Sequence, residues 1–165
     1  NLYDAFGAGD IRRDATILDI DAFIAKQAKP QDITYARGAG GHTGYYNNKY
    51  IKKEAEIGLP DNDLTSPVNY KVIRYADVLL MQAEAEIRSG GTDADALAFL
   101  NQVRARAGLA AVSVSGVTAI LNAIKHERWV ELAGEQSRYY DLQRFDNDNY
   151  LMPIPNVELQ ANTNL

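Results

Sequence analysis

The chain has 165 residues, of which 46% are hydrophobic and 24% charged, so length and composition indicate one globular domain and exclude disordered, collagenous and coiled-coil chains. Seventeen lysines and arginines stand against 22 aspartates and glutamates, and the net charge of −5 has the wrong sign for covering a phosphate backbone, so we expect no nucleic-acid partner. No apolar stretch approaches the length that spans a bilayer, and the absence of cysteine excludes disulfides and thiolate metal sites within the chain.

The first 66 residues are rich in residues that interrupt regular structure. Seven glycines are spread through them, together with Pro30 and Pro60, which predicts a loop-rich segment with little helix. Apolar residues alternate loosely from Ala15 to Ala25, a pattern that predicts one short strand or an edge hairpin. Residues 33–51 carry four tyrosines and several glycines, and they predict an extended loop.

Beyond Pro67 the apolar residues recur with a period near 3.6, which is the helical period. A first helix is predicted up to the Gly90-Gly91 pair, and a second from a cap at Thr92 or Asp93 to Gly108. Because the loop between them is short, the two helices are expected to be antiparallel. Their apolar faces consist of Ile73, Ala76, Leu80, Ala83 and Ile87, then Ala96, Leu100, Val103 and Ala107.

Small residues at Ala76, Ala83 and Ala96 allow a close approach of the kind seen in tetratricopeptide hairpins. A single hairpin cannot bury both of its faces, so it is expected to pack against neighbours, and we regard the chain as a fragment of a longer one.

A third helix is predicted from Val117 to about Ala133, capped by Ser115, with further helical turns from Arg138 to Phe145. The Pro153-Ile154-Pro155 segment predicts extended backbone. The expected fold is therefore mainly α, with a tetratricopeptide-like hairpin plus further helices and little β. Residues 1–66 form a loop-rich, ligand-side segment and residues 67–165 a helical segment of the same structural domain.

The densest group of charges begins in the last turns of the predicted third helix and continues beyond it. Glu127, Glu131 and Glu135 are spaced by four, so they share a face and repel one another unless cations lie among them. One interpretation is a carboxylate pair for glycoside hydrolysis. The favoured one is a partly buried structural network, because two acids on one face cannot flank a scissile bond. Its expected members are Glu127, Arg128, Glu131, Glu135, Arg138 and Asp141, with Arg144 as a further cation.

Other candidate motifs fail on spacing. The glycines between Gly38 and Gly44 match neither a dinucleotide fingerprint nor a phosphate loop. His42 and His126 are too few for a histidine-rich metal site, and neither lies in an H-x-x-x-H helix. The runs 61–63 and 146–149 lack the pattern of a calcium loop and are expected to be solvated turns. We therefore predict no metal and no cofactor.

The tyrosines of residues 33–51 form the best candidate binding surface. A tyrosine ring offers an apolar face for a sugar ring and a polar tip for its hydroxyls. The alternative is that these rings merely cover the helical layer, and for any single tyrosine that alternative is favoured. The candidate ligand-binding residues are Tyr45, Tyr46, Tyr50, Arg37, His42 and Asn47, with Tyr35 and Asn48 beside them. Trp129, on the third helix, is expected in the core.

Four stretches of the C-terminal half carry a family resemblance. Residues 73–85 read IRYADVLLMQAEA, residues 100–109 read LNQVRARAGL, residues 127–142 contain ER, EL, E, R and DL in that order, and residues 151–155 read LMPIP. In this order they resemble the SusD/RagB family of outer-membrane nutrient-binding lipoproteins. Asp10 to Arg12 and Tyr46 to Lys52 are similar to shorter stretches of the family, whereas Asp77, Phe145 and Thr163 depart from its pattern.

The resemblance implies a mainly helical, non-catalytic protein whose loop-rich part holds the ligand. It also implies a lipid-anchored protein on the extracellular face of the outer membrane, which captures glycans or peptides and acts with a SusC-like TonB-dependent transporter. The charged residues of the C-terminal motif have no catalytic role in the family, so the resemblance agrees with a structural network. The match covers the family's C-terminal portion, and the alternative function is a helical docking scaffold without a ligand site of its own.

Overall fold

The computed structural model describes residues 1–35, 43–51 and 68–145, together with the single residues 151 and 160. These residues are mainly helical, as predicted. The helices are α1 (Leu2–Ala5), α2 (Arg12–Thr16), α3 (Ile20–Ala25), α4 (Tyr75–Arg88), α5 (Asp93–Arg106), α6 (Val117–Glu131) and α7 (Arg138–Phe145), and the strands are β1 (Ile17–Asp19) and β2 (Tyr45–Asn47). Short 3-10 turns cover Pro30–Asp32 and Asn48–Tyr50.

The hairpin of α4 and α5 follows the predicted pattern. The hydroxyl of Thr92 accepts a hydrogen bond from the Asp95 amide at 3.2 Å and so caps α5. Gly90 and Gly108, with φ of 87° and 73°, adopt the left-handed backbone that follows each helix. Ile73 differs from the prediction because the helix begins two residues later, which leaves this side chain 66% exposed.

Helix α6 packs across the hairpin and completes the main core. Leu80, Leu100 and Ile124 have no exposed surface there, and the alanines of the hairpin let the backbones approach. The predicted cap at Ser115 is wrong: Gly116 occupies the cap position, and its amide donates to the Asp93 carboxylate at 2.8 Å. The contact ties the start of α6 to the start of α5.

The N-terminal part contains more helix than predicted, in the three short pieces α1, α2 and α3. Of the stretch from Ala15 to Ala25, only β1 is extended, because Asp19 caps α3 by accepting from the Asp21 and Ala22 amides. Strands β1 and β2 pair antiparallel, with Ile17 opposite Asn47.

A second apolar cluster joins the N-terminal part to the end of α6. Phe6 and Ile17 pack there against Val130 and Ala133. The predicted boundary between residues 66 and 67 lies outside the described residues, as do the turns predicted at 61–63 and 146–149 and the extended segment predicted at 153–155. In the described part of the chain, no helix combines the length and apolar character needed to cross a membrane.

Leu80 and Met81 offer a matched test of the core, because they are neighbours on α4 with 0% and 43% exposure. We expect Leu80→Ala to lower the free energy of unfolding by about 2 to 5 kcal/mol, because the truncation opens a cavity among α4, α5 and α6. Met81→Ala should cost much less. Urea denaturation followed by circular dichroism measures both, and equal losses would contradict this packing.

Candidate functional site

The Arg12 guanidinium lies at the junction between the N-terminal part and α6. Its Nε and Nη2 donate to the two oxygens of Asp10 at 2.9 and 2.7 Å, and its Nη1 donates to Glu127 at 2.6 Å and Glu131 at 2.9 Å. Only 7% of Arg12 is exposed. Such a bidentate, multiply bonded arrangement is the form in which buried charges are tolerated.

Further cations complete the neutralisation of the same carboxylates. Arg74 bonds Glu131 at 2.9 Å and Glu135 at 2.7 Å, and Lys49 reaches Glu135 at 2.5 Å. Arg106 binds Glu131 at 2.7 and 2.8 Å, while Arg104 binds Glu127 at 2.9 Å. We call this set the Arg12 network: Asp10, Arg12, Lys49, Arg74, Arg104, Arg106, Glu127, Glu131 and Glu135.

Arg128 belongs to a second set, the Arg128 network. Its Nε donates to both oxygens of Asp141 at 2.9 and 3.0 Å, and its Nη1 donates to Asp77 at 2.7 Å. Arg144 bonds both Glu84 and Asp141. Arg88 bonds Glu84 at 2.7 Å and completes the set.

The expected partners of the three glutamates therefore differ from those found. Arg128 and Arg144 pair with carboxylates of α4 and α7, and Arg138 lies with its guanidinium 4.7 Å from the centre of the Trp129 ring. Among the described residues, no ion pair joins Arg138 to either network. Trp129 is half-buried rather than fully in the core.

The pKa values of Glu131 and Glu135 are unsuited to acid catalysis. Burial by itself raises the pKa of Glu131, but hydrogen bonds from Arg12 and Arg74 and the charge of Arg106 outweigh it and hold the pKa below its usual 4.5. The pKa of Glu135 is lowered in the same way, by Arg74 and Lys49 against the effect of burial. A glycosidase acid needs a raised pKa and access to a ligand, so Glu131 cannot take that role.

An aromatic cavity of about 400 Å³ lies beside this junction, and we call it the Tyr45 cleft. The Tyr45 ring is 44% exposed and stacks on the Tyr3 ring with centroids 4.9 Å apart. The guanidinium carbon of Arg13 lies 5.0 Å from the centre of the Tyr3 ring. The cleft is lined by Asn1, Leu2, Tyr3, Thr16, Ile17, Thr43, Tyr45, Tyr46, Asn47 and Gly134.

The predicted binding residues are only partly brought together. Tyr45, Tyr46 and Asn47 line the Tyr45 cleft, and the Tyr46 ring also meets the edge of Tyr35 at 6.3 Å. Tyr50 does not line it and stacks on Tyr70 instead, at 6.1 Å. Arg37 and His42 lie outside the described residues.

Asn47 is engaged with the protein at both ends of its amide. Its Nδ2 donates to the Gly134 carbonyl at 2.9 Å and its Oδ1 accepts from the Lys49 amide at 3.1 Å. Gly134 has a φ of 75°, and a Cβ there would lie 2.6 Å from the Asn47 amide nitrogen. The contact therefore requires glycine, and it fixes β2 to the turn that follows α6.

Tyr3 lines the Tyr45 cleft and was missed by the sequence analysis, as was Arg13, which packs on the Tyr3 ring. Tyr3 lies in a four-residue helix far along the chain from Tyr45, and no periodicity links the two. The resemblance of Asp10 to Arg12 and of the segment containing Lys49 to family stretches was the available signal for the network partners, since those residues bind Glu127, Glu131 and Glu135.

Comparison with known proteins gives a consistent set of similarities. The profile of the SusD family matches residues 29–149. SusD-like protein P2 of Formosa agariphila is 34% identical over 71% of this chain and 28% of its own length, and a SusD-like protein of Bacteroides ovatus is 38% identical over 62% of this chain and 20% of its own. The chain thus spans less than a third of these curated relatives.

Solved structures agree in fold. Surface glycan-binding protein A from Bacteroides uniformis superposes with a TM-score of 0.68 at 26% identity, covering 99% of this chain and 38% of that one. Surface glycan-binding protein A from Bacteroides thetaiotaomicron, in complex with laminarihexaose, superposes with a TM-score of 0.67 at 29% identity, covering 96% and 38%.

Arg12 and Arg13 form a matched pair for testing the network. We expect Arg12→Ala to lower the free energy of unfolding by about 3 to 5 kcal/mol, because it leaves buried carboxylates without their shared partner. Arg13→Ala should change it little, since the Arg13 pair with Asp14 is exposed. Chemical denaturation measures the difference, and similar values for the two variants would contradict the central role of Arg12.

The lowered pKa values of Glu131 and Glu135 also predict an acid-dependent stability. Their stabilising effect is complete above the unfolded value near 4.5 and is lost as the pH falls through the lower folded values. We expect the melting temperature to fall steeply below about pH 4.5. Glu135→Gln should lower stability at neutral pH and flatten the acid decline; an unaltered slope would mean that Glu135 does not contribute.

Proposed function

The chain belongs to the SusD family, and on that premise we propose that the protein binds poly- or oligosaccharides at the cell surface without breaking a bond in them. The observation that carries the proposal is the exposed Tyr45 ring, stacked on Tyr3 at the mouth of a cavity. The laminarihexaose complex of a similarly folded protein supports the class of ligand.

The chemistry of the Tyr45 cleft suits a neutral sugar. A pyranose ring has a C–H face that packs on an aromatic ring and hydroxyls that need hydrogen-bond partners. The exposed half of Tyr45 provides such a face, while Tyr3 holds the ring from the other side. None of the described residues lining the cleft has a charged side chain, so neither an acidic nor a basic ligand finds a complementary charge.

The way the nearby acids are used supports binding without bond cleavage. Glu127 and Glu131 are each bonded to two or more arginines and are 1% and 2% exposed, so they have no free surface for a substrate. The Arg12 network also holds strand β2, which carries Tyr45, because Lys49 lies just after β2 and donates a hydrogen bond to Glu135.

The family resemblance extends the proposal to location and partner. We place the protein on the extracellular face of the outer membrane, attached by an N-terminal lipid anchor, where it passes glycan to a SusC-like TonB-dependent transporter. The alternative is a helical docking scaffold that binds the transporter but no glycan. Co-purification with the transporter and glycan binding are separate measurements, and the scaffold would show only the first.

Tyr45→Ala tests the proposed site. We expect glycan affinity to fall about five-fold, because stacking on one ring is worth about 1 kcal/mol. Folding stability should change little, since the ring is half exposed. Tyr75→Ala, which removes a 73% exposed tyrosine from the start of α4, is the control. Affinity electrophoresis of the complete gene product in neutral polysaccharide gels measures retention, and equal retention of wild type and Tyr45→Ala would remove this cleft from the site.

A further inference from the structure

A second cavity, of about 570 Å³, lies between α4 and α7 and shares no lining residue with the Tyr45 cleft. We call it the α4–α7 cleft. Its apolar walls are unusually exposed: Tyr140 is 68%, Tyr70 is 54% and Met81 is 43% exposed. Two tyrosines and a methionine around one cavity form an aromatic surface of the kind that receives a flat, partly apolar ligand.

The polar lining of this cleft is charge-balanced. Arg88, Arg128 and Arg144 face it together with Glu84, Glu135 and Asp141, three cations against three anions. Both oxygens of Asp141 accept from Arg128, and Glu84 binds both Arg88 and Arg144. A charged ligand would therefore have to break an existing ion pair to gain its own, whereas a neutral one would not.

Hydrogen-bond donors nevertheless remain at the surface of the cleft. Arg88 is bonded to the described residues through its Nε, and its side chain is 48% exposed. Arg144 is 44% exposed. The Phe145 ring lies 5.7 Å from the Arg88 guanidinium and 4.0 Å from that of Arg144, which holds both groups in place. Fixed, neutralised donors suit hydroxyl groups.

Gln136, another lining residue, has a strained backbone. Its φ is 64°, and among the described residues no other non-glycine residue has a positive φ. A side chain in this region is strained, and such strain is concentrated where function requires a particular placement. The strain sets an amide, which both donates and accepts, beside the exposed tyrosines and guanidiniums.

We infer that the α4–α7 cleft is a second binding site for a neutral sugar unit of a glycan, separate from the Tyr45 cleft. Tyr140 and Tyr70 provide apolar faces, and Arg88, Arg144 and Gln136 provide partners for the hydroxyls. The choice of a sugar among neutral ligands rests on the proposed function. Two separate sites on one protein would retain a polysaccharide more strongly than either site by itself, since the second contact is intramolecular.

The test uses the complete gene product and a panel of neutral hexasaccharides of glucose, mannose and xylose, laminarihexaose among them. Isothermal titration compares wild type, Tyr45→Ala, Tyr140→Ala and the double variant. We expect two sites in the wild type, one of them weakened about five-fold in each single variant and both weakened in the double variant. Tyr75→Ala is the control, because Tyr75 is 73% exposed and does not line the cleft.

The outcomes separate this inference from the proposed function. Weaker binding in Tyr45→Ala with no effect of Tyr140→Ala overturns the second site and leaves the first. An effect of Tyr140→Ala with none of Tyr45→Ala leaves the second site and removes the first. No binding by any member of the panel overturns both. Protection of Tyr140 from hydroxyl-radical labelling in the sugar-free protein would mean that another protein surface covers the cleft, and would also overturn the inference.

A second variant distinguishes a binding role of Gln136 from a structural one. Gln136→Gly relieves the positive φ, so it should raise the melting temperature, and by removing the amide it should weaken sugar binding at the α4–α7 cleft about three-fold or more. Stabilisation with unchanged affinity would show that the strain has no part in binding. Tyr45→Ala provides the background in which this second site is measured separately.

Discussion

The guanidinium of Arg12 is the contact on which the arrangement of this protein depends. It lies between Asp10, two residues before it, and Glu127 and Glu131 on α6, and it is almost fully withdrawn from water. Burial of an arginine is costly, and only the geometry of the bonds to the carboxylates offsets the cost. Burial by itself would lower the pKa of Arg12. The neighbouring carboxylates outweigh this effect and raise the pKa, so the guanidinium stays cationic. The N-terminal part therefore cannot separate from α6 without exposing three acids and their shared partner.

This constraint extends to the candidate binding site. Tyr45 lies on a strand of only three residues, which would not hold an aromatic ring in place by itself. The strand is secured by the pairing with β1, by Asn47 on the Gly134 carbonyl, and by Lys49 on Glu135. A binding surface works best when rigid elements carry it and a second layer of contacts supports them. The glutamates, whose spacing had also allowed a glycoside-hydrolase interpretation, belong to that second layer.

The two ion networks also explain why the Tyr45 cleft and the α4–α7 cleft have little net charge although the protein as a whole is acidic. The protein is acidic as a whole, yet its buried and half-buried charges are paired along α4, α6 and α7. Pairing removes net charge while leaving aromatic rings at the surface above it. Such surfaces favour neutral, hydroxyl-rich ligands, because an ionic ligand would have to compete with the internal pairs.

The sequence by itself determined the helical half of this protein. The period of 3.6 from residue 73 onward and the glycines at 90, 108 and 134 mark α4, α5 and α6 closely, because burial of one helix face and a left-handed helix end leave a local pattern. The family motifs lie largely in this half. The same reasoning named Tyr45 as a candidate binding residue and grouped the three glutamates, since both depend on residue type and short spacing.

What only the tertiary structure decided are the contacts between distant residues. Arg12 and Glu127 are 115 positions apart, and Tyr45 finds its stacking partner in Tyr3, from a helix of four residues. The partners of the glutamates were expected nearby, at Arg128, Arg138 and Arg144, because local spacing favours near neighbours. Instead, α5, α2 and the segment before α4 converge on the end of α6 and bring other cations there. Contacts between residues far apart in the sequence leave no periodic pattern in the chain, and the burial of a charge depends on everything packed around it. Residue spacing therefore predicts neither the partners nor the burial.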